Sequence, residues 1–162
     1  MSGSAPSSAV SAGRPLRIAV VAARFHGAIV DDLVHGALDA LAGVEDVACE
    51  VFRVPGAWEV PVVVDAALSR ADVDGAVALA CLVRGDTMHF ELLAEESTRG
   101  LGRATARHGK PVGHAILACE NLAQALERSA PGVANKGREA ALAVAETART
   151  LDLVRRRPEV AK

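Results

Sequence analysis

The chain has 162 residues, enough for one domain with a proper core, and a formal net charge of −2 with both signs interspersed. That balance argues against a nucleic-acid binder, which would carry a basic stripe, and no apolar run approaches the roughly 20 residues that a membrane span needs. Hydrophobic residues make up 51% and aromatic ones only 2%, so Ala, Val and Leu must build the core, and the apolar excess points to self-association.

Residues 1–15, MSGSAPSSAVSAGRP, are rich in Ser, Ala, Gly and Pro without an apolar period, which predicts a disordered tail with no secretory signal. RIAVVAA (17–23) reads as a buried strand, and Ile29, Leu33, Ala37 and Leu41 then recur at helical spacing. VACEVFRV (47–54) is a second strand, VPVVVDAAL (60–68) a short helix despite its β-branched residues, and GAVALACLV (75–83) a third strand. Phe90, Leu93, Ser97, Leu101, Ala104 and His108 form one helical face, stopped by Gly109 and Pro111. VGHAILA (112–118) is a fourth strand, and two helices follow over 121–129 and 135–154, separated by Pro131-Gly132. The domain is expected over 16–155, with a short tail at 156–162. Arg155, Arg156 and Arg157 read as a solvated helix end favoured by the helix dipole.

Strands alternating with helices imply a parallel sheet covered on both faces, with ligands bound outside the carboxyl ends of the strands. That rule gathers RFHG (24–27), VPGAWE (54–59), LVRGDTMH (82–89) and ACEN (118–121) at one rim. Phe25 is there either a core ring or a platform for a flat heterocycle. Pro55-Gly56-Ala57 is a small-residue turn that brings backbone N–H groups near a ligand. Glu59 either favours a helix N-terminus or accepts hydrogen bonds from a polyol. Gly85, Asp86 and Thr87 precede a helix whose N-terminal N–H groups suit a phosphate, with Asp86 expected to cap that helix.

His89 is the candidate for proton transfer, against a packing or capping role. No HxH, HExxH or CxxC spacing supports a metal site from His26, His89, His114, Cys119 or Glu120. Arg128 and Lys136 flank the Pro-Gly break and are either surface charges or anion-binding groups. Cys49, Cys81 and Cys119 are an odd set, read as free and mostly buried thiols in a reducing compartment.

Five blocks, RFHGAIVDDLVHGAL, VPGAWEVP, ACLVRGDTMHFELLAEESTRGL, PVGHAILACENLAQALERS and NKGREAALA, together resemble the 6,7-dimethyl-8-ribityllumazine synthase family. The resemblance implies a flavodoxin-like three-layer α/β sandwich with a four-stranded parallel sheet. It also implies a cytoplasmic, cofactor-free transferase of riboflavin biosynthesis that forms a homopentamer with its sites between subunits. By that resemblance Phe25 stacks on the pyrimidine of 5-amino-6-ribitylaminouracil, and Ala57, Trp58 and Glu59 meet its ribityl chain and ring edge. Cys81, Leu82 and Val83 line the uracil, and His89 transfers protons. Asp86 and Thr87, through main-chain donors, and Arg128 and Lys136, from a neighbouring subunit, bind the phosphate of 3,4-dihydroxy-2-butanone 4-phosphate.

His114 stands where many members have Phe or Asn and is expected near the uracil. With Trp58 and Met88 it departs from the family pattern, which leaves a lumazine- or flavin-binding or shell-forming paralogue as the alternative. SAPGVANKG (129–137) lacks the Gly-x-Lys-x-Gly run of members that build sixty-subunit shells, which favours a free pentamer.

Overall fold

The computed structural model describes residues 13–156. The remaining parts of the two expected tails, residues 1–12 and 157–162, lie outside the described residues. Four strands, β1 (Leu16–Ala23), β2 (Val47–Val54), β3 (Gly75–Val83) and β4 (Val112–Cys119), form one sheet in the order β2-β1-β3-β4. Every pairing is parallel. The connecting helices are α1 (Gly27–Ala42), α2 (Val60–Leu68), α3 (His89–His108), α4 (Leu122–Ser129) and α5 (Lys136–Arg155). This is the α/β three-layer architecture expected of a flavodoxin-like chain.

Alternate residues of the strands feed two cores. Ile18, Val20 and Ala22 pack with Leu33 and Leu41 of α1 and Val144 of α5. Ala19, Val21 and Ala23 pack on the opposite face with Val60, Val64 and Leu68 of α2 and Leu101 of α3. Each fully buried Leu, Ile or Val here contributes about 1.5–3 kcal/mol relative to exposure. The spacing of Val60, Val64, Ala67 and Leu68 makes one buried helical face, and Pro61 sits in the first turn, where no N–H bond is lost. That burial outweighs the weak helix propensity of a Val-rich segment. At the far end of α3, Gly109 adopts φ 61° and its N–H bonds to Thr105 O, the left-handed stop that glycine permits.

Small residues let α1 and α5 approach closely. A Cβ at Gly137 would strike the Leu33 carbonyl of α1. Beside this contact Asn135, 1% exposed, donates from Nδ2 to Asp32 O at 3.1 Å and to Ser129 O at 2.6 Å, and its Oδ1 accepts from Arg138 N at 2.9 Å. One buried amide thus ties α1, the end of α4 and the start of α5 together, with its hydrogen-bonding groups satisfied.

The expected elements are present, with β1 beginning at Leu16 and β4 running to Cys119. A 3-10 turn, Ala57–Glu59, precedes α2 and was not foreseen. β2 lies at a sheet edge, and only Val54 along it is buried. Cys49 on β2 is accordingly exposed, whereas Cys81 and Cys119 are buried free thiols. Across the β1–β2 surface Glu50 pairs with Arg17 at 2.8 Å and with Arg70 at 2.9 Å, and Arg70 also holds Asp72 at 2.7 Å. Arg14, within the expected N-terminal tail, pairs with Asp74 at 2.7 Å and Asp152 at 3.1 Å. Among the described residues no helix is long and apolar enough to cross a membrane.

Candidate active site

The chain leaves β1 toward β2 on one side and continues from β3 toward β4 on the other, so the strand order reverses between β1 and β3. In open parallel sheets the two loops leaving such a point diverge and open a crevice at the strands' carboxyl ends. A groove of about 890 Å³ lies there. One wall is Phe25 and His26 after β1, a second is Gly56 to Glu59 after β2, and Cys81, Leu82 and Val83 of β3 form the floor. His89, Leu92, Leu93 and Glu96 of α3 close the remaining side.

Backbone bonds set the first two walls against each other. Arg24 N donates to Val54 O at 2.8 Å and Phe25 N to Pro55 O at 3.1 Å, tying the β1 loop to the β2 loop. A Cβ on Gly56 would meet the Phe25 ring at 3.2 Å and Glu59 Oε2 at 3.4 Å, so glycine lets ring and carboxylate sit side by side. Gly56 N donates to Glu59 Oε2 at 2.9 Å. This bond orients the carboxylate at the turn before α2, and its other oxygen keeps lone pairs with which it can accept a hydrogen bond. Phe25 is 70% and Trp58 59% exposed. Phe25 is therefore a presented ring face rather than a core residue.

The Cys81 side chain turns into the core, and burial, reinforced by nearby Cys119, pushes its thiol up to about 11. A thiol so protonated is no nucleophile near neutrality. Cys81 contributes position and backbone to the floor.

The β3–α3 loop, residues 84–88, is exposed. Arg84 N donates to Cys119 O at 2.9 Å, which joins this loop to the end of β4. The expected cap is corrected here. The N-cap of α3 is Met88, with no side-chain cap, and Thr87 Oγ1 accepts from His89 N at 3.3 Å. Asp86 stands two positions before the N-cap, outside the place from which a cap side chain serves the N2 and N3 amides. The Asp86 carboxylate therefore does not occupy the N–H groups at the start of α3, of which His89 N is engaged by Thr87 Oγ1.

Of the residues singled out from sequence, Phe25, Ala57, Trp58, Glu59, Cys81, Leu82, Val83 and His89 line one groove. Asp86 and Thr87 are exposed in the loop beside His89. Three others are not brought to the groove within one chain. His114, exposed on β4, pairs with Ala78, three residues short of the Cys81–Leu117 pair, and its Nε2 lies 3.0 Å from Thr98 Oγ1. Arg128 is exposed at the end of α4, with Nη1 on Gln124 O at 3.1 Å. Lys136 opens α5 and pairs with Glu139 at 2.8 Å. Sequence reasoning placed His26 at the rim without a substrate role and missed Leu92, Leu93 and Glu96 as lining. The three on α3 follow His89 by three, four and seven positions, the spacing of one helical face. Among the described residues no group of three or more His, Cys, Asp or Glu side chains could hold a metal ion.

The family model described as 6,7-dimethyl-8-ribityllumazine synthase matches residues 15–152. The chain belongs to that family. Its relatives in the family include the 6,7-dimethyl-8-ribityllumazine synthase of Desulfovibrio desulfuricans, 42% identical over 139 residues, which cover 85% of this chain and 89% of that one. The synthase of the same name from Nitratidesulfovibrio vulgaris strain Miyazaki F is 41% identical over the same shares. That of Anaeromyxobacter dehalogenans is 39% identical over 148 residues, 90% of this chain and 91% of its own. The groove opens inside the matched span.

Proposed function

We propose that the protein condenses 5-amino-6-ribitylaminouracil with 3,4-dihydroxy-2-butanone 4-phosphate to give 6,7-dimethyl-8-ribityllumazine, phosphate and water, the penultimate step of riboflavin biosynthesis. Family membership supports the reaction. The observation that carries the site is the groove at the β1/β3 switch point, lined by both the Phe25 ring and His89. The pyrimidine stacks on Phe25, the backbone of Cys81 to Val83 meets its polar edge, and Glu59 with Ala57 and Trp58 holds the ribityl hydroxyls.

The 5-amino nitrogen attacks the ketone carbon. Its proton passes through His89, the carbinolamine loses water, and an imine forms. Loss of a proton beside the imine expels the phosphate as its C–O bond breaks. The enol left beside the imine tautomerises to a new carbonyl and methyl group, the 6-ribitylamino nitrogen adds to that carbonyl, and a second water leaves with ring closure. Each step moves protons and none needs a net redox change, so the reaction requires no cofactor. Holding two reactants in line supplies much of the acceleration, since orientation alone is worth about 7–11 kcal/mol, and His89 adds about 10²–10⁴-fold.

The phosphate docks on main-chain N–H groups of the Asp86–Thr87 loop and the start of α3. Its charge is met by Arg128 and Lys136 of an adjoining copy, which also brings its His114 toward the uracil. These three residues lie outside the groove of their own chain, and large apolar side chains such as Val62, Leu92 and Val133 are exposed. Both facts support self-association with shared sites, which the family resemblance reads as a homopentamer. The free thiols and the substrates suit a cytoplasmic enzyme.

The purified chain is mixed with both substrates while lumazine absorbance and fluorescence are followed. Turnover is expected in the wild type, with about 100-fold or greater loss of kcat in His89→Ala. Arg128→Ala raises the KM for the phosphate substrate by at least tenfold, the scale of a lost charge-assisted bond. A wild type that binds lumazine or riboflavin tightly but makes none identifies a binding paralogue instead.

A further inference from the structure

Arg84 lies on the rim yet does not line the groove. Its guanidinium is held at three points. Nε donates to Glu120 Oε2 at 2.7 Å, at the end of β4, and Nη1 pairs with Glu91 in the first turn of α3. The guanidinium carbon sits 4.6 Å from the centroid of the Phe90 ring, within cation–π range. The Arg84 backbone N–H holds Cys119 O. Glu91 and Phe90 are the two residues that follow His89, so the cation grips the turn on which His89 stands.

The environment of Glu91 shows how far that turn depends on Arg84. Glu91 Oε2 is buried with no hydrogen-bond partner among the described residues, and Arg84 holds the carboxyl below the usual carboxylate range. Without the cation the Glu91 side chain, 41% exposed, swings toward water to hydrate that oxygen, and the tie between the first turn of α3 and Arg84 is lost. Arg84 is also matched by two carboxylates, which leaves it little charge to offer an anion.

We infer that Arg84 is a positioning residue, which fixes the first turn of α3 against the end of β4 and so holds His89 at the distance its proton transfer requires. The inference rests on the proposed role of His89. It assigns the phosphate no contact with the Arg84 side chain. The planar fork serves two carboxylates while one face stacks on Phe90, an arrangement a lysine ammonium cannot reproduce.

The test is steady-state kinetics of Arg84→Met, Arg84→Lys, His89→Ala and the Arg84→Met/His89→Ala double variant, with both KM values and thermal melting. Arg84→Met lowers kcat by about 10- to 100-fold, the scale of a misplaced catalytic group. It leaves the KM for the ribitylaminouracil within about twofold, because Phe25 and Glu59 stand on other elements. Arg84→Lys recovers part of kcat, and it carries the test if the Met variant does not fold. In the double variant kcat equals that of His89→Ala alone, because a residue acting through His89 has nothing further to lose.

Multiplying losses would overturn the inference, as would a kcat within twofold of wild type in Arg84→Met. So would a rise of both KM values together with a lower melting temperature, the signature of a general structural role. A wild type that forms no lumazine overturns the reading of the site itself, and the Arg84 role with it.

Discussion

Replacing Phe25 with alanine separates the ring's role in binding from its role in folding. The ring is 70% exposed, and of the roughly 200 Å² that a Phe side chain carries, about 140 Å² is open to a ligand. A stacked pyrimidine covers one face, about 70 Å², worth about 1.8 kcal/mol at ~25 cal/mol per Å². The offset-stacking geometry adds about 0.5–1.5 kcal/mol. The loss on truncation is therefore about 2–3 kcal/mol, or about 30- to 150-fold in Kd for the ribitylaminouracil or the lumazine product. The buried remainder, about 60 Å², limits the cost to the fold to about 1.5 kcal/mol. Fluorescence titration with the lumazine reads the first quantity and urea unfolding reads the second. An affinity within threefold of wild type would refute the stacking role, and a stability loss above about 3 kcal/mol would show that the ring belongs to the core.

His26 adopts φ 55° at the head of α1, a left-handed conformation that costs a side-chain-bearing residue on the order of 1 kcal/mol. His26→Gly is accordingly expected to raise the urea midpoint by an amount equivalent to about 0.5–1 kcal/mol, and no gain would show that the loop relaxes at no cost. At low pH the β1–β2 surface weakens. Arg70, then Arg17, hold the Glu50 carboxyl below its ordinary value, and Arg70 does the same for Asp72. Their stabilisation is complete above the unfolded values near ~4.3 and ~3.9 and is lost as pH falls through the lower folded values. Stability measured from pH 5 to 2 should fall less steeply in Arg70→Met than in the wild type, and parallel curves would deny the network that role. In a timed thiol-labelling experiment at pH 8, exposed Cys49 should react first, with buried Cys81 and Cys119 following only as the fold opens. Labelling of Cys81 ahead of Cys49 would contradict the burial that raises its thiol.

The layered fold was legible because β3 is a nearly unbroken apolar run, which marks a strand covered on both faces, and because α3 carries a clean helical face ended by Gly109. The strand rule then placed Phe25, Glu59 and His89 at one rim before any geometry was known, and Cys81 came only from the family resemblance. What escaped has physical causes. The 3-10 turn at Ala57–Glu59 spans three residues, too short for a period to show. Asp86 was read as the cap of α3 because the start of a helix is the hardest boundary to place from sequence. Leu92, Leu93 and Glu96 were missed because the same helical face that supplies them was read as packing rather than as lining. The exposure of Cys49 follows from β2 lying at the sheet edge, which the order of elements along the chain does not by itself determine.

The single buried amide of Asn135 has a consequence for the cationic arm. Arg128 ends one helix and Lys136 begins the next, and the spacing between these two charges is set from the interior, by bonds from Asn135 to Asp32 and Ser129 and from Arg138 to Asn135. Swapping charges on the outside of α4 or α5 retunes the field without altering its geometry. Loss of one interior carboxamide changes the geometry without altering the net charge.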